Sequence, residues 1–256
     1  MKRTVLLTII VLTLTSCLDI EEPSSSSTMT VKIGDLSFEM VQVKAGSFTM
    51  GAYDKLLADA SIDEKPAHKV SLGTFYICKT EITAAVWNAV MNDDLPGGNG
   101  KFPAAGISYN RIDSFVQTIS RQTGFAFSLP TEAQWEYAAR GGANGINYLY
   151  SGSDNINYVA VHDTTMAFPV GKLSENSLGL VDMSGNVAEW CYDWYGKYPE
   201  DEQNMPWGPE TGTARVVRGG SYLSPDKDCR VSARSYANPD SVSPAIGFRL
   251  VLYTAQ

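Results

Sequence analysis

Cysteine, histidine, serine and carboxylate side chains do most covalent and metal chemistry, and this sequence is sparing with the first two. Two histidines, His68 and His162, rule out a three-histidine zinc site and an HExxH protease pair. Four cysteines, Cys17, Cys78, Cys191 and Cys229, contain no CxxC spacing, which argues against a zinc ribbon or a thioredoxin-like centre. A hydrolase built on Ser224 and His162 has no supporting motif. Gly97-Gly98-Asn99-Gly100-Lys101 looks phosphate-like, but Phe102 stands where a P-loop needs Ser or Thr and no apolar strand leads into it. It reads as a loop.

The N-terminus reads as an address. Lys2 and Arg3 precede an apolar run from Val5 to Leu14, too short for a permanent span and suited to a signal segment. It ends in Leu14-Thr15-Ser16-Cys17, similar to a bacterial lipobox, which predicts cleavage after residue 16 and lipidation of Cys17. Two or more acyl chains there would anchor the protein stably in a membrane. Residues 17–30 then read as an acidic, Ser-rich tether, followed by one domain over 31–256. The acidic stretch resembles the surface-export signals of Bacteroidetes lipoproteins, so the expected location is the cell envelope, at the outer membrane and facing outward. In an oxidising compartment the three remaining cysteines cannot all pair, leaving at most one internal disulfide.

Lys plus Arg total 20 against 28 Asp plus Glu, and removal of Lys2 and Arg3 with the signal leaves 18 against 28, a net charge of −10. That balance excludes nucleic acid as the main partner, because such binding rests on Lys and Arg. Strands are expected at 38–43, 69–72, 75–77, 215–218 and 248–253. Thr83 caps a helix through Met91. Ser108 starts a second, with Ile112, Phe115, Val116 and Ile119 at helical spacing and Gly124 as its stop. Thr131 and Gln134 form a capping box for a third, with Trp135, Ala138 and Ala139 as its buried stripe and Gly141 past its end. After Gly142 some seventy residues rich in Gly, Asn, Asp, Pro and aromatics lack periodicity, roughly five times the usual loop ceiling, so buried aromatics, side-chain hydrogen bonds or bound cations must hold them. The fold class is α+β.

Several strings combine into a resemblance. They are Ala45-Gly46-Ser47-Phe48-Thr49-Met50-Gly51, Asp63-Glu64-Lys65-Pro66-Ala67-His68, Leu129-Pro130-Thr131-Glu132-Ala133-Gln134-Trp135-Glu136-Tyr137-Ala138-Ala139-Arg140-Gly141, Gly185-Asn186-Val187-Ala188-Glu189-Trp190, Arg218-Gly219-Gly220-Ser221-Tyr222 and Gly247-Phe248-Arg249. In that order they resemble the formylglycine-generating enzyme, or sulfatase-modifying factor, family over about Leu36 to Tyr253. The resemblance implies a variant of the C-type-lectin fold with few helices, mixed sheets and much irregular structure.

The enzymes of that family bind copper(I) through two cysteines and oxidise a sulfatase cysteine to formylglycine. Their pattern is Gly-Gly-Ser-aromatic-x-Cys, four residues, then the second Cys. Here Ser224 follows Gly219-Gly220-Ser221-Tyr222-Leu223, and Cys229 comes five positions later. Counted forward, Ser224 replaces the first cysteine and Cys229 keeps the second. Counted backward from Ala233-Arg234-Ser235, Cys229 matches neither. Copper(I) is soft and wants thiolates, so copper is not expected, and Cys229 reads as a buried thiol or a partner of Cys191. The resemblance further implies a structural Ca²⁺ on the carbonyls of Ser184, Gly185 and Val187 and the carboxylate of Glu189, a hard-oxygen set, with Asn157 and Asp163 near a second site.

The function expected is a non-catalytic module on a lipid anchor that binds a protein, peptide or glycan at the cell surface, or serves in an assembly. The surface candidates are Tyr192, Trp194, Tyr195 and Trp207, with Tyr198 in the same aromatic set, and Asp226, Arg230 and Arg234. The competing expectation is a formylglycine-generating oxidase.

Overall fold

The computed structural model describes residues 28–98 and 100–253. The signal segment, Cys17 and most of the tether lie outside those residues. The domain begins earlier than expected: a strand starts at Thr28, inside the stretch read as tether, and pairs antiparallel with Leu36–Val43. Met29 and Val31 are buried, which accounts for the strand in spite of its polar flank.

A five-stranded antiparallel sheet runs in the order Thr28–Ile33, Leu36–Val43, Phe75–Cys78, Val251–Leu252, Phe127–Ser128. The strand Val251–Leu252 thus inserts between Phe75–Cys78 and Phe127–Ser128. Gly46–Met50, His68–Leu72 and Gln203–Asn204 form a second sheet, the last pairing parallel with His68–Leu72. A third has the order Arg234–Ala237, Arg215–Arg218, Ala188–Trp194, Ile246–Gly247. Ala160–Val161 and Ser184–Gly185 add a short parallel pair. Fold class and architecture therefore agree with the α+β expectation.

The helices are α1 (Ala84–Met91), α2 (Tyr109–Thr123) and α3 (Glu132–Ala139), all starting where their capping residues predict. Thr83 and Ser108 accept hydrogen bonds from the N–H three residues on, and Gly124 ends α2 at φ 77°. Between α1 and α2 lies one core. Trp87 stacks on Phe115 at 5.1 Å and 6°, and Phe248 packs edge-on to both. A second core surrounds Trp135 and Tyr137 of α3.

Two expectations need correction. The 248–253 run is regular only at Val251–Leu252, although Phe248 and Leu250 still accept backbone bonds from Ile82 and Cys78. And the stretch after Gly142 contains the seven-residue strand Ala188–Trp194 at the centre of the third sheet. Its sequence does not alternate, because Glu189 and Asp193 are buried along with Trp190 and Cys191. No helix among the described residues is long and apolar enough to cross a membrane.

Candidate functional site

Helix α3 is the frame. Its capping box is reciprocal: Thr131 Oγ1 accepts from the Gln134 N–H at 3.2 Å, and Gln134 Oε1 accepts from the Thr131 N–H at 2.9 Å. All eight helical residues are buried, so the apolar stripe is only part of its buried surface. Glu132 and Glu136 are accommodated by arginines from three directions. Arg218 donates Nη1 to Glu132 and Nη2 to Glu136, each at 2.7 Å. Arg140 adds 2.7 and 2.9 Å bonds to Glu136, and Arg234 adds 2.6 and 2.8 Å bonds to Glu132. Five alternating charges, Arg140–Glu136–Arg218–Glu132–Arg234, thus cross the interior. Burial pushes both carboxyls up, but the arginines beside each outweigh it and hold both below the ordinary glutamate range.

The outer end of this chain borders a cavity of about 270 Å³. Its walls come from the start of α3, the end of Ala188–Trp194 and the loop beyond, with Trp194, Tyr198 and Trp207 as aromatic surface and His68, Asp193 and Arg234 as polar groups. Asp193 is 4% exposed, and its Oδ2 accepts the Glu132 N–H at 2.8 Å. Burial first, and Glu132 next, push its carboxyl up to about 7. A second cavity of about 170 Å³ shares Pro206 and Trp207 with the first, and carries Thr131, Gln134 and Tyr253. Trp207 is 49% exposed and edge-on to Tyr192 at 5.1 Å.

The expected surface residues divide. Tyr192 and Trp207 are exposed, and Trp194 and Trp207 line the cavity. Tyr195 instead donates its hydroxyl to Asp63 at 2.7 Å and packs against Tyr236, and Tyr198 is buried with its hydroxyl on Glu132. Arg230 is a correction. It is 4% exposed and binds Glu64 at 2.7 and 2.9 Å, with Ser232 on the same carboxylate at 2.6 Å. Arg234 lines the cavity, but its donors go inward to Glu132, Asp63 O and Gly196 O. Asp226 is exposed in the turn before Cys229, away from that cavity. Asp193, Glu132 and His68 are site residues that sequence reasoning missed, and the turn-forming string Pro206-Trp207-Gly208-Pro209 was the available signal for the wall opposite them.

The thiols are sealed and free. Cys78, Cys191 and Cys229 are all buried, each in a different apolar cluster, so the pairing of Cys229 with Cys191 is corrected. Cys229 sits against Gly220, where an added Cβ would lie 2.8 Å from the sulfur. Burial, then Asp228 and Asp226, push its thiol up to about 12. Ser224 holds a tight turn, accepting from the Ser221 N–H at 3.0 Å while its own N–H bonds Ser221 O at 2.9 Å. A protonated, solvent-shielded Cys229 thiol, with Ser224 where the forward count puts the first cysteine, does not fit copper(I).

Of the residues expected to hold calcium, Glu189 is bound on both oxygens by donors of the protein. Arg249 donates Nε to both carboxylate oxygens of Glu189 at 2.7 and 2.9 Å and Nη2 to one at 2.7 Å, and the Trp135 indole N–H adds a bond at 2.7 Å. Each Glu189 oxygen thus accepts two hydrogen bonds from the protein. Gly185 donates its N–H to Gly219 O, Ser184 directs its hydroxyl to Cys229 O, and Val187 packs in a small apolar cluster. Nearby, Glu81 and Asp182 are both pushed up by burial, Glu81 further by Asp182. Asn157 and Asp163 are both exposed, and among the described residues no group of three or more His, Cys, Asp or Glu side chains is arranged to hold a metal ion.

A family model described as "Sulfatase-modifying factor enzyme 1-like domain" matches residues 31–254. The chain is similar to the formylglycine-generating enzyme of Streptomyces coelicolor, 37% identical over 59% of this chain and 53% of that one. It is also similar to serine/threonine-protein kinase pkn1 of Chlamydia pneumoniae, at 30% identity over 82% of this chain but 37% of that protein's length. Chaperone protein LppX of Paenibacillus barcinonensis is 27% identical over 84% of this chain and 90% of its own. Among solved structures, Treponema denticola variable protein 1 superposes with a TM-score of 0.81 at 25% identity, covering 89% of this chain and 99% of the other. PvdO from Pseudomonas aeruginosa gives 0.76 at 27%, covering 88% and 98%.

Proposed function

The chain belongs to the sulfatase-modifying factor enzyme 1-like family, and we propose that it is a binding member of it, carried on a lipid anchor at Cys17 in the bacterial outer membrane, not an oxidase. The observation that carries this reading is the state of Cys229. A copper(I) site of the family type needs two accessible thiolates. This segment offers one thiol, fully buried and with its pKa near 12, and Ser224 in the place of the other. Cys78 and Cys191 are equally buried in other clusters and are not at hand.

What the fold offers instead is a preformed concave site on a rigid frame. Ligand pockets are largely apolar with a few placed polar groups, and the cavity beside Trp207 matches that description. The internal charge chain fixes one wall, so a ligand meets a surface that does not have to reorganise. The protein named a chaperone, similar along nearly its whole length, is consistent with a family member that binds.

The test is incubation with a Cys-x-Pro-x-Arg peptide, copper(I) and oxygen, read by mass spectrometry at the peptide cysteine. We expect the peptide to be recovered unchanged. Conversion to formylglycine would reject the binding reading in favour of the oxidase.

A further inference from the structure

We propose that the paired cavities on either side of Trp207 bind a neutral saccharide of two or more rings, one ring in each cavity, an inference that rests on the binding reading above.

The cavity's charges are already satisfied from within. Glu132 is neutralised by Arg218 and Arg234, and the four hydrogen bonds of Arg234 go to Glu132, Asp63 O and Gly196 O. An anionic ligand therefore lacks a free guanidinium, and it also meets a chain of net charge −8. A cationic ligand fares no better, because arginines of the protein already stack on these rings. Arg234 lies 3.9 Å from the centre of Tyr198, and Arg215 lies 3.6 Å from that of Trp194. Lys197 is exposed at the rim.

What remains is suited to hydroxyl groups beside an apolar ring face. Asp193 lines the first cavity, and burial pushes its carboxyl up to about 7, so that its protonated form can donate as well as accept. His68 shares that cavity, with Nδ1 3.2 Å from Pro66 O and its other ring nitrogen left for a ligand. In the second cavity the Tyr253 hydroxyl, accepting from Gln134 at 2.8 Å, keeps its own proton to donate. Trp207 belongs to both walls, and half of its surface is open. An indole with hydrogen-bonding groups on each side offers ring stacking and hydroxyl recognition at two adjacent positions.

The experiment is saturation-transfer NMR and tryptophan fluorescence on the domain with glucose, galactose, mannose, xylose, cellobiose, maltose and lactose, with glucuronate as the charged control. At least one neutral disaccharide should bind at least tenfold more tightly than its constituent monosaccharides and than glucuronate, with transfer to ring protons. Trp207→Ala should abolish the transfer and Trp207→Phe should keep part of it, both with unchanged far-ultraviolet circular dichroism and melting. Transfer from none of the neutral sugars overturns the inference, and transfer that survives Trp207→Ala places the sugar elsewhere and overturns it too. Equal affinity for mono- and disaccharides overturns the two-ring assignment. None of these outcomes touches the binding reading, which falls only if the cysteine peptide is oxidised.

Discussion

Arg249 clasps Glu189 through both carboxylate oxygens, with the guanidinium 0% and the carboxylate 1% exposed. The pair ties the segment leading into the last strand to the central strand of another sheet. Arg249 also donates to the carbonyls of Cys78 and Val181. One side chain thus ties its own segment to residue 78 and to the stretch 181–189.

Removing one partner of such a pair leaves a buried, uncompensated charge, which typically costs about 3–5 kcal/mol. Glu189→Gln is expected to lose that much in urea unfolding. In the wild-type domain, EDTA should leave the melting temperature unchanged. A fall on chelation, restored by calcium, would reinstate a cation at this motif.

Thiol chemistry gives a second prediction. With Cys78 and Cys229 both pushed up to about 12 by burial, and Cys191 also raised well above the ordinary thiol range, none should react with Ellman's reagent at pH 8 in the native domain. All three should react once it is denatured in guanidinium. Rapid native labelling at Cys229 would mean that its pocket opens.

The pH dependence follows from Asp193. Its native pKa, about 7 against an ordinary 3.8, means the folded protein holds a proton there that the unfolded chain releases. Its contribution is therefore full below about pH 4 and declines as pH rises through 7, at roughly 1.4 kcal/mol per pH unit within that window. Asp193→Asn should flatten the stability curve between pH 4 and 7. Glu132 and Glu136 act oppositely, being depressed, and their contribution is lost as pH falls below the ordinary glutamate value. An unaltered slope in Asp193→Asn would show that another group sets it.

Arg230 secures a peripheral segment. It holds Glu64 and the carbonyl of Asp59, and so docks the short turns Asp54–Asp59 and Ile62–Glu64 over buried Leu56. Arg230→Ala should speed amide hydrogen exchange across 54–64 by at least tenfold and leave α3 protected. Equal loss of protection in α3 would indicate global destabilisation instead.

Much of this was legible from the chain. Helix boundaries at Thr83, Ser108 and Thr131 follow from local capping chemistry, which is short-range and written in neighbouring residues. The strand Ala188–Trp194 was not, because Glu189 and Asp193 look like solvent-facing residues until arginines 60 and 41 positions away are brought beside them. The same long-range pairing hid Arg230 and Arg234, which read as surface cations and turn out to be internal partners of Glu64 and Glu132. Trp207 was legible as a candidate, but its neighbours Asp193 and His68 were not, since the cavity is assembled from strands and a loop distant in sequence.

Glu132 belongs at once to the interior charge chain and to the cavity wall. Mutational freedom around the opening is therefore lopsided. A change of charge on the helix side propagates to Arg218, Glu136 and Arg140 and is felt as lost folding, whereas the loop residues Pro206 and Trp207, beyond the strand Gln203–Asn204, take no part in that chain. Variants with new preferences should be sought in libraries that randomise that loop and leave the helix alone.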